Sequence, residues 1–203
     1  MLDELHPGEA SALLFDWDGT LVDSQPANYR AMAAALAADG VTLEPTWFEA
    51  RTGLSSAELV RTLADDRGIQ LPRAVAEIVR DRDERFLRAI NEVRLYPAVA
   101  AVVTACHGRL PMAVASGGGR RVIEVTLRGL PIRDRFDVLV TREDVEHGKP
   151  APDIFLLAAE LLGVRPERCV VYEDSEQGVA AAHAAGMKVI DVRPHTRSLG
   201  SRP

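Results

Sequence analysis

Five short runs of this chain are apolar at nearly consecutive positions, and segments of helical periodicity separate most of them. The runs are Ala12-Leu13-Leu14-Phe15, Met112-Ala113-Val114-Ala115, Asp137-Val138-Leu139-Val140, Cys169-Val170-Val171-Tyr172 and Lys188-Val189-Ile190-Asp191-Val192. Runs without polar alternation suit strands buried on both faces, as in a parallel sheet. Between two of them, Ile154, Leu157, Ala158 and Leu161 repeat at i, i+3, i+4 and i+7, which is one helical stripe. Pro152 fits a first helical turn, Ser175 an N-cap, and Gly186 the stop before the last run. Strand and helix alternating in this way specify a doubly wound α/β fold.

From about Asp23 to Arg94 the rhythm breaks. No strand is expected there, only helical stripes: Tyr29, Met32, Ala33 and Leu36; then Leu59, Val60 and Leu63; then Val75, Val79, Phe86 and Ile90. The expected organisation is a core of residues 1–22 and 95–203 carrying a helical insert, 23–94. The segment from about Thr196 to Pro203 reads as a loose tail.

Composition narrows the function classes. With 24 Lys and Arg against 30 Asp and Glu, the net charge is −6, so counterion release offers no drive toward nucleic acid. No apolar run spans a bilayer, and the acidic start Met1-Leu2-Asp3-Glu4 is unlike a secretory signal, so a soluble, cytoplasmic protein is expected, monomeric by default. The two cysteines, Cys106 and Cys169, lack the spacing of a zinc site and read as small core residues. An anionic substrate would need positive charge supplied locally, by a metal or a few placed cations.

Four motifs carry chemistry, each at or shortly after the end of an apolar run. The first is Asp16-Trp17-Asp18-Gly19-Thr20. An Asp-x-Asp alone is an ordinary turn. Here a buried strand precedes it and Gly19 allows a sharp bend, so Asp16 can face a substrate while Asp18 leans over it. A carboxylate can attack phosphorus, and a second carboxyl can protonate the leaving oxygen. The second is Ser116-Gly117-Gly118-Gly119, whose N–H groups and hydroxyl suit a phosphate at a helix start, without the spacing of a P-loop or a dinucleotide fingerprint. Arg120 and Arg121 follow in a first turn, where they oppose the helix dipole; Arg120 is a candidate substrate contact. The third is Gly148-Lys149-Pro150, a placed cation able to neutralise a phosphoryl oxygen. The fourth is Tyr172-Glu173-Asp174-Ser175, a pair of hard oxygen ligands suited to Mg²⁺. Open α/β sheets bind ligands at the strands' carboxyl edge.

These four segments, in this order, resemble the motifs of the haloacid dehalogenase (HAD) superfamily, and the insert resembles the small helical cap of its β-phosphoglucomutase-like branch. Gly148–Leu157 and Val170–Gly186 are similar to that branch, and His107–Val114 to small sugar-phosphate phosphatases of the fructose-1-phosphatase type. The resemblance implies a Rossmann-like core and an aspartyl-phosphate intermediate. Asp16 would be nucleophile and metal ligand, and Asp18 acid/base and ligand through its backbone carbonyl. Ser116, Gly117 and Lys149 would hold the phosphoryl group, and Asp174 with Glu173 would complete the Mg²⁺ site. Phosphoglucomutases of the branch carry a cap histidine where this chain has Asn28, and an arginine where Gly53-Leu54-Ser55-Ser56 ends in Ser56. Both departures favour hydrolysis of small phosphorylated metabolites over a hexose phosphomutase. A faded metal-binding scaffold is the remaining reading. Asn28, Ser55 and Ser56 are candidate substrate contacts.

Overall fold

A computed structural model describes residues 4–196. The start and the tail read above fall largely outside them, at 1–3 and 197–203. The core strands are β1 (Ala12–Phe15), β4 (Met112–Ser116), β5 (Val138–Thr141), β6 (Cys169–Glu173) and β7 (Lys188–Asp191). They form one five-stranded sheet in the order β5-β4-β1-β6-β7, with every pair parallel. β1 and β4 are buried at every position, which is why their sequences show no alternation. Chain order reverses beside β1, which places the switch point between β1 and its neighbours β4 and β6.

Helices cover both faces. α5 (Pro97–Cys106) and α6 (Arg120–Arg128) bury Val99, Val102, Val103, Val122 and Ile123 in one cluster with Leu13, Phe15 and Tyr172. α7 (Asp153–Leu162) and α8 (Glu176–Ala184) bury Ile154, Phe155, Ala158, Ala181 and Ala182 against Leu14, Ala113 and Val171. Full burial of each large apolar side chain contributes about 1.5–3 kcal/mol. The Phe15 and Tyr172 rings stack at 4.7 Å, and the Tyr172 hydroxyl donates to the Leu5 carbonyl at 2.7 Å, so this buried phenol is satisfied. Ser175 caps α8 by accepting from Gly178 N. Pro152 stands at the N-cap of α7, one place ahead of the first turn expected for it.

The insert holds α1 (Gln25–Ala37), α2 (Pro45–Glu49), α3 (Ser56–Arg67) and α4 (Val75–Arg88). Met32, Leu36, Leu43, Phe48, Leu59, Leu63 and Ile78 make a third apolar cluster, while Ala27, Ala31 and Phe86 join the first cluster with core residues. The expectation of no strand between Asp23 and Arg94 needs correction. β2 (Val22–Asp23) and β3 (Arg94–Leu95) pair antiparallel and tie the two ends of the insert together. Two-residue strands are too short to show a period. The stripe read on α4 is also shifted: its buried residues are Ile78, Arg82 and Phe86, and Ile90 lies in a following 3-10 turn. Among the described residues no helix is long and apolar enough to cross a membrane.

Candidate active site

The carboxyl ends of β1, β4 and β6 converge on one cleft, the place where an open α/β sheet binds its ligand. Asp16, Asp18, Asn28, Ser56, Ser116, Gly117, Lys149, Glu173 and Asp174 all line it. Asp16 directly follows β1, and its N–H donates to the Tyr172 carbonyl of β6 at 3.0 Å, which fixes the backbone beneath the carboxylate. Gly19 turns the chain at φ +90°, and a Cβ there would lie 2.2 Å from Asp174 Oδ2, so only glycine lets the Asp18 loop close against Asp174. Thr20 Oγ1 donates to Asp174 Oδ1 at 2.9 Å.

Lys149 lies beneath this loop. Its Nζ donates to Asp16 Oδ1 and to Glu173 Oε2, each at 2.6 Å, and its side chain is 3% exposed. Burial works against its charge, but Asp16 and Glu173 outweigh that, and the ammonium holds its proton more tightly than usual. Burial, with Glu173 adding to it, pushes the Asp16 carboxyl well above its ordinary range. The same causes push Asp174 up to about 7. Two buried carboxylates on one ammonium, with the half-buried Asp174 beside them, leave negative charge that a cation would neutralise. Asp16, Glu173 and Asp174 each offer an oxygen within 4.8 Å of the others, an all-oxygen donor set that fits a hard divalent ion.

Asp18 is held from the other side. Its Oδ1 accepts from Asn28 Nδ2 at 3.0 Å and from the Ser24 hydroxyl. Its Oδ2 turns toward the Ser116–Gly118 loop, 3.4 Å from where a Cβ on Gly118 would stand. Asn28 Oδ1 in turn accepts from the Arg82 guanidinium, which also donates to Asp83 at 2.7 Å and lies 5.1 Å from the centre of the Phe86 ring. Sequence reasoning missed Ser24 and Arg82. The signal for Arg82 was an arginine at the middle of Ile78, Arg82 and Phe86, spaced i, i+4, i+8 on a buried stripe.

Two expected contacts require correction. Ser55 is not among the cleft-lining residues: its hydroxyl caps α3 in a capping box with Glu58. Arg120 turns away, pairing with Asp144 at 2.6 Å and Glu124 at 3.6 Å, while its N–H donates to Glu143. Those carboxylates compensate the unfavourable charge at the start of α6. His147 pairs with Asp153 at 3.0 Å, and Trp17 is buried, away from a role in the cleft. Trp47 is only partly buried and donates to Asp66, whereas Phe48 is buried and also lines the cleft.

The chain matches the haloacid dehalogenase-like hydrolase family over residues 10–186. It is 36% identical over 184 residues to the fructose-1-phosphate phosphatase YqaB of Escherichia coli (strain K12), covering 90% of this chain and 96% of that protein. It is 30% identical over 181 residues to a phosphorylated carbohydrates phosphatase of Thermotoga maritima, covering 88% and 83%. The crystal structure of CbbY from Rhodobacter sphaeroides in complex with phosphate superposes with a TM-score of 0.80 at 32% identity, covering 89% of this chain and 84% of that one. The chain therefore belongs to the haloacid dehalogenase-like hydrolases, and among them to the phosphatases.

Proposed function

We propose that the protein is a Mg²⁺-dependent phosphatase of small phosphorylated sugars or polyols, working through a phosphoryl group carried on Asp16. The observation that carries this reading is the facing arrangement of Asp16, bound by Lys149, and Asp18, whose free oxygen looks onto the Ser116–Gly118 loop. The carboxylates of Asp16 and Asp174 would hold the metal with the Asp18 carbonyl. When bound, Mg²⁺ supplies charge neutralisation at a phosphoryl oxygen.

The steps follow from the side chains. Lys149 and the N–H groups after Ser116 hold the phosphoryl oxygens. Asp16 attacks phosphorus, the P–O bond to the alcohol breaks, and the leaving oxygen takes a proton from Asp18 Oδ2. Ser24 and Asn28 hold Oδ1, so the proton sits on the oxygen that faces the reaction. Asp18, now a carboxylate, takes a proton from water as that water attacks the aspartyl phosphate. Inorganic phosphate leaves and Asp16 is restored.

The insert, residues 23–94, acts in this reading as a cap on the core of 1–22 and 95–203. It brings Gln25, Thr52 and Ser56 to the cleft as polar partners for substrate hydroxyls, beside an apolar floor of Met32, Phe48 and Leu59, while Asn28 is committed to Asp18 and Arg82. Its two cleft arginines are already paired, Arg51 with Asp66 at 2.7 Å and Arg82 with Asp83 at 2.7 Å. A second phosphate therefore meets no uncommitted cation there, which favours hydrolysis of monophosphates over a mutase cycle through a bisphosphate. A screen of phosphorylated sugars and polyols with Mg²⁺, ranked by kcat/KM, tests this. Phosphate release from monophosphates is expected; interconversion of hexose phosphates without phosphate release would refute it.

A further inference from the structure

The insert brings two arginines to the cleft, and their contacts commit them to different tasks. Arg82 belongs to the chain of contacts that reaches Asp18 through Asn28. Arg51 belongs to a separate set. It stands just past α2, one helical turn after Trp47, and its guanidinium carbon lies 4.0 Å from the centre of the indole ring. Its Nη2 donates to Asp66 Oδ2 at 2.7 Å and its Nη1 to the Trp47 carbonyl at 3.3 Å. Trp47 Nε1 donates to the same Asp66 oxygen at 3.1 Å. Indole, guanidinium and carboxylate thus close a ring of contacts between α2 and α3. The backbone is fixed too: Arg51 N donates to the Phe48 carbonyl at 3.0 Å, and Leu54 N donates to the Arg51 carbonyl at 3.3 Å.

An ion pair with side chains 29% and 41% exposed adds little to stability. Its effect is to immobilise Arg51 where it lines the cleft. A guanidinium carries five N–H donors, and the two bonds above use two of them. The long side chain is ordered before a ligand arrives, and preorganisation of this kind raises affinity. Asp66 offsets the positive charge, so the remaining donors suit neutral oxygens better than a second phosphate. We infer that Arg51 is the residue that selects polyhydroxy substrates: its remaining N–H groups donate to hydroxyl or carbonyl oxygens of the sugar or polyol being released. Trp47 and Asp66 are its positioning residues. For the reaction itself this rests on the phosphatase reading, to which it adds the group that reads the leaving alcohol.

The test is a ratio of kcat/KM values, measured with Mg²⁺ for the wild type, R51M and D66N. One substrate is p-nitrophenyl phosphate, whose leaving group has no further hydroxyl. The others are a panel of sugar and polyol monophosphates, fructose 1-phosphate included, and fructose 1,6-bisphosphate. The wild type is expected to prefer a polyhydroxy monophosphate. R51M should lower kcat/KM for that substrate about ten- to a hundredfold, the scale of a lost charge-assisted hydrogen bond, and for p-nitrophenyl phosphate less than about threefold. Its Tm should stay within about 4 °C of the wild type. D66N, which loosens Arg51 without removing it, should move the ratio the same way by a smaller factor. Equal losses on p-nitrophenyl phosphate and the sugar phosphate would show a merely structural role and overturn the inference. A larger loss on fructose 1,6-bisphosphate than on the monophosphate would put an anionic group at Arg51 and overturn it as well, as would a wild type active on p-nitrophenyl phosphate but on none of the sugar or polyol phosphates. A wild type that releases phosphate from no substrate at all would sink the phosphatase reading, and the inference with it. Should R51M fail to fold, the ratio in D66N decides the same question.

Discussion

Replacing Lys149 with methionine is expected to weaken the metal-free fold sharply. The ammonium is enclosed, with its side chain 3% exposed, and it makes 2.6 Å contacts to side chains that are 9% and 1% exposed, Asp16 and Glu173. Methionine keeps much of the packing against Phe155, whose ring centre lies 4.9 Å from Nζ, so the loss is mainly electrostatic. Removing one partner from a buried ion pair costs about 3–5 kcal/mol, because the remaining charge stays desolvated and uncompensated. For a chain of this length, each kcal/mol moves Tm by about 2–4 °C, so a fall of roughly 6–20 °C follows. The deficit should depend on pH and on metal. Asp16 and Asp174 titrate above their ordinary range, Asp174 up to about 7, so in acid both are neutral and the missing ammonium matters less. Millimolar Mg²⁺ supplies charge at the same carboxylates and should restore part of the loss. The assay is urea and thermal unfolding of wild type and K149M at pH 5 and pH 8, with EDTA or with Mg²⁺. A loss under about 1 kcal/mol at pH 8 in EDTA, or one that neither acid nor Mg²⁺ reduces, would refute the reasoning.

Other outcomes follow from the same geometry. Asp174 titrates at about 7 in the fold against an ordinary 3.8, so it favours the fold below about 4 and that contribution is lost as pH rises through 7. Mg²⁺ competes with those protons, so calorimetry should show its Kd falling as pH rises toward about 7, with proton release on binding below that. R82M should lower kcat about tenfold or more with little change in KM, because it frees the Asn28 amide that holds Asp18; steady-state kinetics checks this. G53A should destabilise the protein by about 1–3 kcal/mol and lower kcat/KM, since Gly53 has φ +100° and a Cβ there would lie 2.9 Å from Ser175 Oγ. Denaturation and kinetics on the same preparation read both effects.

What was legible in the sequence follows from scale. Strands β1, β4 and β6 are buried on both faces, so their unbroken apolar runs mark them, and their ends mark Asp16, Ser116 and Glu173. Long helices such as α1 and α7 show a helical period, but the face on α7 was misjudged in part: Leu161 of the expected stripe is 57% exposed, while Phe155 and Ala159 are buried. The pairing of β2 with β3 was hidden because it joins two-residue strands far apart in the chain. Side-chain direction was hidden too. Ser55 and Arg120 have suitable chemistry near suitable loops, yet one satisfies the start of a helix and the other pairs with Asp144, 24 residues on. Arg82 was missed because its partner Asn28 lies 54 residues away, and only tertiary packing brings the two together. Adjacent acids at 173 and 174 look equivalent in sequence; the hydrogen bonds around each separate them.

The central claim is that Asp16 carries the phosphoryl group, and rapid acid quench followed by peptide mass spectrometry tests it most directly. Wild-type protein mixed with Mg²⁺ and its best substrate should show a phosphoryl adduct on the peptide containing Asp16 within one turnover. The adduct should decay at the rate of phosphate release. D16N should show neither adduct nor turnover. Full turnover without any adduct, or an active D16N, would contradict the claim.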